Sequence, residues 1–169
     1  MIKVLGAVLV VLGAGGFGFA RAIQFYRQLH QLRDFLSAVE ILKCELNYTL
    51  CPLSVLCEHT AERSKGACAQ YFRNFSKRIT EGGPRGKSAA AAMEETKGLS
   101  LPPDAQMALL ELLSSLGRYD LDGENRLLQL TGQRLRSALE RFENEKKPLA
   151  RGYAVLGFTA GIALVILFI

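Results

Sequence analysis

The segment Arg21–Leu50, RAIQFYRQLHQLRDFLSAVEILKCELNYTL, sets apolar residues at Phe25, Leu29, Leu32, Leu36, Val39, Leu46 and Leu50. Their spacing alternates between four and three, with Lys43 at the one missed position. That alternation predicts a helix with a narrow apolar stripe suited to near-parallel packing. At 1.5 Å per residue the helix would be about 45 Å long. Nothing between Phe19 and Phe25 breaks a helix, so it is expected to continue backward into the residues before it. Pro52 ends it, because the ring disfavours helical geometry at Cys51 and suits the first turn of a new helix.

Backward from that segment lies an apolar run, Val4–Ala20, and a second one, Gly152–Ile169, closes the sequence. They hold 17 and 18 residues, each just enough to cross a bilayer core about 30 Å thick. All 16 Asp and Glu, and all but Lys3 of the 21 Lys and Arg, fall between them. The expected organisation is a transmembrane helix over residues 1–20, a helical bundle over 21–151 and a transmembrane helix over 152–169. Arg21, Arg27 and Arg33 follow the first run, and Lys146, Lys147 and Arg151 precede the second. By the positive-inside rule the bundle is then cytoplasmic and both termini lie outside. A signal peptide competes at Met1-Ile2-Lys3, but Gly18-Phe19-Ala20 is a poor cleavage site and arginine follows at once. Gly157 and Gly161 form a GxxxG pair that allows close helix approach.

The polar block reads as about six helices and no sheet. Pro52–Lys65 is a short one closed by Gly66. Ala67–Glu81 sets Cys68, Tyr71, Phe72, Phe75 and Ile79 on one side, with Arg73, Lys77 and Arg78 toward solvent. After Gly82–Gly86, the alanine run Ala89–Ala92 supports a helix over Lys87–Lys97. Asp104–Leu116 is dense in Met107, Leu109, Leu110, Leu112, Leu113 and Leu116, which predicts burial nearly all round and a central place in the bundle. Gly117 ends it, and Asp120 or Asp122 caps a last helix over Asp120–Lys147, apolar every seven residues at Leu121, Leu128, Leu135 and Phe142. The first and last helices must run antiparallel, with Leu110, Leu113, Leu128 and Leu135 in the core.

Several function classes find little support. The net charge of +5 is spread over a mixed surface with no basic-aromatic strip, so nucleic-acid binding is not expected. Cys44, Cys51, Cys57 and Cys68 include no CxxC and read as small buried hydrophobes. Cys57 and His59 are too isolated for a zinc site. GGPRGKS at Gly82–Ser88 ends like a P-loop, but the position that motif needs as its first glycine is Glu81, and a helix rather than a strand precedes it. Glu94 with Glu95 and Glu40 with Glu45 do not converge as acid/base pairs, and His30 and His59 lack a second ligand at helical spacing. No catalytic residue, metal ligand or cofactor is expected, and the block reads as a membrane-anchored contact module.

Leu42-Lys43-Cys44-Glu45-Leu46-Asn47-Tyr48 leading to Thr49-Leu50-Cys51-Pro52-Leu53, and Leu116-Gly117-Arg118-Tyr119-Asp120 opening the last helix, together with a span at each end, resemble the stage III sporulation protein AB family. The family pattern more often has isoleucine where Leu46 stands, a small residue at Thr49, and a glutamine after the aspartate for which Asn125 or Gln129 are the nearest substitutes. The resemblance implies a component of the complex joining mother cell and forespore, in the membrane around the forespore, with its bundle in the mother-cell cytoplasm. Its soluble part is similar to the platform domain of type II secretion and type IV pilus machines, which implies a cytoplasmic ATPase as partner, the stage III sporulation protein AA, beside other membrane components and the bilayer. A platform protein outside sporulation is the alternative. On this reading the ATPase meets the membrane-distal turns, and the candidate contact residues are Glu45 at the first turn and Arg118, Asp120 and Asp122 at the last.

Overall fold

The computed structural model describes the backbone of residues 2–48 and 51–168 and the side chains of residues 23–48 and 51–144. Six helices follow one another: α1 (Ile2–Tyr48), α2 (Leu53–Arg63), α3 (Gly66–Thr80), α4 (Arg85–Glu95), α5 (Pro103–Ser115) and α6 (Leu121–Phe168). Among the described residues there is no strand. The all-helical reading therefore holds and each expected helix is present, α1 continuing backward as expected to Ile2, while α6 runs on past its expected end at Lys147 to Phe168. The two expected membrane spans and the Gly157/Gly161 pair fall on side chains outside the described residues. Among the described residues no helix is long and apolar enough to cross a membrane.

Local chemistry explains the breaks. Pro52 precedes α2 and Pro102 precedes α5, whose first helical residue is Pro103, the position where a missing N–H costs nothing. Lys77 and Arg78 occupy the last turn of α3, against the negative end of its dipole. Past that turn, Gly82 takes a φ of +83°. Gly83 donates to the Arg78 carbonyl at 3.0 Å, and a Cβ there would come within 2.6 Å of Ser88 Oγ. The glycines of the P-loop-like stretch thus serve a tight α3–α4 connection.

The chain divides into two compact units, one of Met1–Leu29 with Arg141–Ile169 and one of His30–Glu140. In the first, Phe25 stacks on Phe142 with ring centroids 5.0 Å apart and planes 7° from parallel. In the second, α2 packs on α3, α3 on α4 and α4 on α5. α1 runs antiparallel to α6 there: Arg136 Nη2 meets Glu40 Oε1 at 2.9 Å, and farther along α1 Asn47 and Asn125 exchange amide hydrogen bonds at 2.9 Å.

Two expectations about burial are corrected. α1 does not use a narrow stripe: Phe35 and Leu42 are fully enclosed, whereas Leu36 and Leu46 are only half-buried. The reason is that α1 has neighbours on more than one side, with Phe35 against Tyr71 and Phe72 of α3 while Glu40 and Asn47 reach α6. A helix so enclosed must bury a wider arc. α5, conversely, is not buried all round. Leu109, Leu112 and Leu113 are enclosed, but Met107 is 62% exposed and Leu110 is half-buried. The helix is one-sided, and the central place belongs to α1.

Candidate partner surface at the α5–α6 turn

The connection from α5 to α6 is five residues, Leu116–Asp120, and its backbone is held from both sides. Gly117 has a φ of +80°, a left-handed conformation that glycine takes without steric cost. From one side Arg85, the first residue of α4, donates from Nη1 to the Leu116 carbonyl at 2.9 Å. Its guanidinium lies so close that a Cβ on Gly117 would sit 3.3 Å from it. From the other side the Glu124 carboxylate, 3% exposed, accepts on Oε1 from the amides of Gly117, Arg118 and Tyr119 at 2.7, 3.0 and 3.0 Å. Hydrogen bonds to an ionised acceptor are stronger than neutral ones, and Glu124 lies in the first turn of α6 where the helix dipole also favours an anion.

Asp120 is the N-cap of α6. Its carbonyl receives the Glu124 amide at 2.9 Å and its Oδ1 receives the Gly123 amide at 3.1 Å. A Cβ on Gly123 would come within 2.8 Å of both Asp120 Oδ1 and Tyr119 Cβ, so this cap needs a glycine three residues on. Of the four candidate contact residues, Arg118, Asp120 and Asp122 are thus brought together, all exposed, on one braced turn. Between them Tyr119 and Leu121 are 59% and 48% exposed. The Asn47–Asn125 pair ties the end of α1 to the start of α6, so Tyr48, 86% exposed, lies at the same end.

Glu45 is placed differently. Its side chain is only 10% exposed, with Oε1 2.6 Å from Arg63 Nη1 and Oε2 3.3 Å from His59 Nδ1. It joins α1 to α2 and presents little carboxylate to solvent.

Sequence reasoning missed Glu124 and Arg85, which hold the turn, and Gln31, whose side chain donates to the Gly98 carbonyl and accepts from the Ser100 amide, both at 2.7 Å. A signal for Glu124 was present: an acid four residues past the cap, one beyond the capping-box position, reaches back over the preceding loop. Nothing in the sequence pointed to Arg85 or Gln31, whose partners are 31 and 67 residues away.

Elsewhere the chemistry is quiet. Cys57 and Cys68 are buried as expected, but Cys44 is exposed and Cys51 partly so. Burial pushes the Cys68 thiol up to about 12 and raises Cys57 and the Tyr71 phenol as well, so all three stay protonated at neutral pH. Among the described residues no group of His, Cys, Asp or Glu could hold a metal ion. A groove of about 280 Å³ between α1 and α6 is crossed by the Glu40–Arg136 ion pair.

Set against known proteins, the chain matches the family model for stage III sporulation protein AB over residues 3–169. It is 25% identical to the stage III sporulation protein AB of Bacillus subtilis (strain 168), over 99% of each chain. A solved structure of stage III sporulation protein AB (SpoIIIAB) superposes with a TM-score of 0.64 at 18% identity, covering 72% of this chain and 98% of that one. At that identity the match speaks for the helical fold.

Proposed function

Because the chain belongs to the stage III sporulation protein AB family, a family of sporulation-complex components, we propose that it is a non-enzymatic membrane component of the complex between mother cell and forespore. In this reading it couples a cytoplasmic ATPase to the membrane channel. The spans Val4–Ala20 and Gly152–Ile169 anchor it in the mother-cell membrane around the forespore, with His30–Glu140 in the cytoplasm.

The observation that carries this reading is the braced α5–α6 turn. Three backbone amides on one buried carboxylate, a guanidinium from α4 and an N-cap hold five residues in one conformation, and yet the side chains of Arg118, Tyr119 and Asp120 lie open to solvent. A surface ordered before binding loses little conformational freedom on association, which favours affinity. The turn also lies at the end of the unit opposite the one where the chain enters at His30 and leaves at Glu140. That end is the one we assign to the ATPase. Arg118, Asp122, Tyr119 and Tyr48 make the contact, Asp120 shapes it, and Glu45 supports it from the α1–α2 side.

The test is binding of the full chain, in detergent, to the ATPase of the same complex. Arg118→Glu with Asp122→Lys is expected to raise Kd at least about tenfold, or about 1.4 kcal/mol, with helical circular dichroism and melting temperature unchanged. An unaltered Kd in a folded double variant would remove the turn from the interface.

A further inference from the structure

Resting on the membrane reading above, we propose that the first turns of α1 beyond the apolar run form an anchor for anionic phospholipid headgroups, with Ile23 and Tyr26 as its apolar part and Arg27 as its charge. In this stretch Phe25 and Leu29 face inward, 7% exposed each, and Phe25 stacks on Phe142. Ile23 and Tyr26, three apart and hence on one face, are 47% and 54% exposed. Arg27, four residues from Ile23, is exposed on the same face. Two large apolar groups beside a free cation on an outward helix face are a poor match to water.

Distance decides which surface meets them. Ile23 and Tyr26 lie three and six residues past Ala20, about 4.5 and 9 Å along a helix. The polar layer on each side of the bilayer core is about 5–7 Å thick. Helical side chains lean toward the N-terminus, which carries the Tyr26 ring back toward the core. The ring is also fixed in place, edge-on to Phe25 with centroids 5.5 Å apart and planes at 73°. A tyrosine at that depth sits with its ring at the level of the lipid headgroups.

Charge selects the lipid. Within this unit's polar residues, 21–29 and 141–151, the bases Arg21, Arg27, Arg141, Lys146, Lys147 and Arg151 outnumber the acids Glu143 and Glu145. A basic excess of this kind is attracted to an anionic leaflet, over a range of about a Debye length. The excess is concentrated here: the other 14 acids are set against the remaining Lys and Arg of the chain.

The chain contains no tryptophan, so single-tryptophan variants report depth directly. Ile23→Trp, Tyr26→Trp and, as a control at the other end of α1, Tyr48→Trp are placed in the full chain and reconstituted into phosphatidylcholine vesicles with and without phosphatidylglycerol, using lipids brominated near the headgroup as quenchers. Ile23→Trp and Tyr26→Trp are expected to emit to the blue of Tyr48→Trp and to be quenched several-fold more. Phosphatidylglycerol should deepen the quenching, and Arg27→Gln should remove that increment while leaving the helical circular dichroism intact. Chain that floats with the vesicles but shows water-like emission at both positions overturns the anchor and leaves the membrane reading standing. Quenching indifferent to phosphatidylglycerol overturns the anionic preference, and chain that does not float overturns both readings.

Discussion

Glu124 carries more of the α5–α6 turn than any other single side chain. Removing its carboxylate leaves the amides of Gly117 and Tyr119 without their acceptor and that of Arg118 with only the Ser115 carbonyl, 3.2 Å away, and a lost hydrogen bond to a charged group costs about 1.5–3 kcal/mol. Glu124→Ala is expected to lower the unfolding free energy by about 2–4 kcal/mol in urea melts, with Glu124→Gln milder because its amide oxygen still accepts. If Glu124→Ala melts like the unaltered chain, the carboxylate does not hold the turn. A second residue-scale expectation concerns alkali. Burial raises the Cys68 thiol from its ordinary 9.0 to about 12 and raises Cys57 in the same direction. Below pH about 9 both folded and unfolded chains keep these protons, so their contribution is complete there. As pH climbs from about 9 toward 12 the unfolded chain alone ionises, and stability is lost across that window. A Cys57→Ala, Cys68→Ala variant should show a shallower alkaline decline, and an equal decline would place its origin elsewhere.

Among the elements, α5 separates pattern from environment most clearly. Leu109, Leu112 and Leu113 are completely enclosed, while Met107 in the same dense run is largely open. Leu112→Ala, and on α6 Leu128→Ala and Leu135→Ala, should each cost about 2–5 kcal/mol. Met107→Ala should stay within about 0.5 kcal/mol of the unaltered chain, and Leu110→Ala should fall between the two. Chemical denaturation of the five variants checks the order; a Met107→Ala cost equal to that of Leu112→Ala would restore all-round burial. For α1, the 4-3 stripe was a good guide to helix and direction but a poor guide to width. Phe35 and Leu42 lie off that stripe, and only the helices that pack around α1 reveal that they are interior.

At the scale of the whole molecule the open matter is orientation. With the bases of residues 21–33 and 146–151 on one side of the proposed spans, the polar block should be cytoplasmic. A reporter active only in the cytoplasm, inserted within Gly82–Gly86, is expected to be active, and the same reporter after Ile169 silent. The reverse pattern would turn the protein over and remove the cytoplasmic ATPase from its reach. The insertion point suits the test because Gly82 and Gly86 are exposed.

The amino-acid order by itself determined the helices, their breaks and the antiparallel return of the last helix on the first. The helices and breaks follow from local causes: apolar spacing at the helical period, prolines that cannot continue a helix, and glycines and acids at helix ends; the antiparallel return follows from the apolar run at each end of the polar block. It also put Arg118, Asp120 and Asp122 on one turn, since neighbours in sequence stay neighbours in space. Tertiary structure alone decided which helix is central, that Glu45 is spent on Arg63 and His59, and that Arg85 and Glu124 brace the turn from opposite sides. Those outcomes depend on groups from different helices arriving at one place, and local spacing carries no information about which distant residue will fill a given position. Burial is a property of the neighbours a residue acquires, and periodicity reports only the direction in which it points.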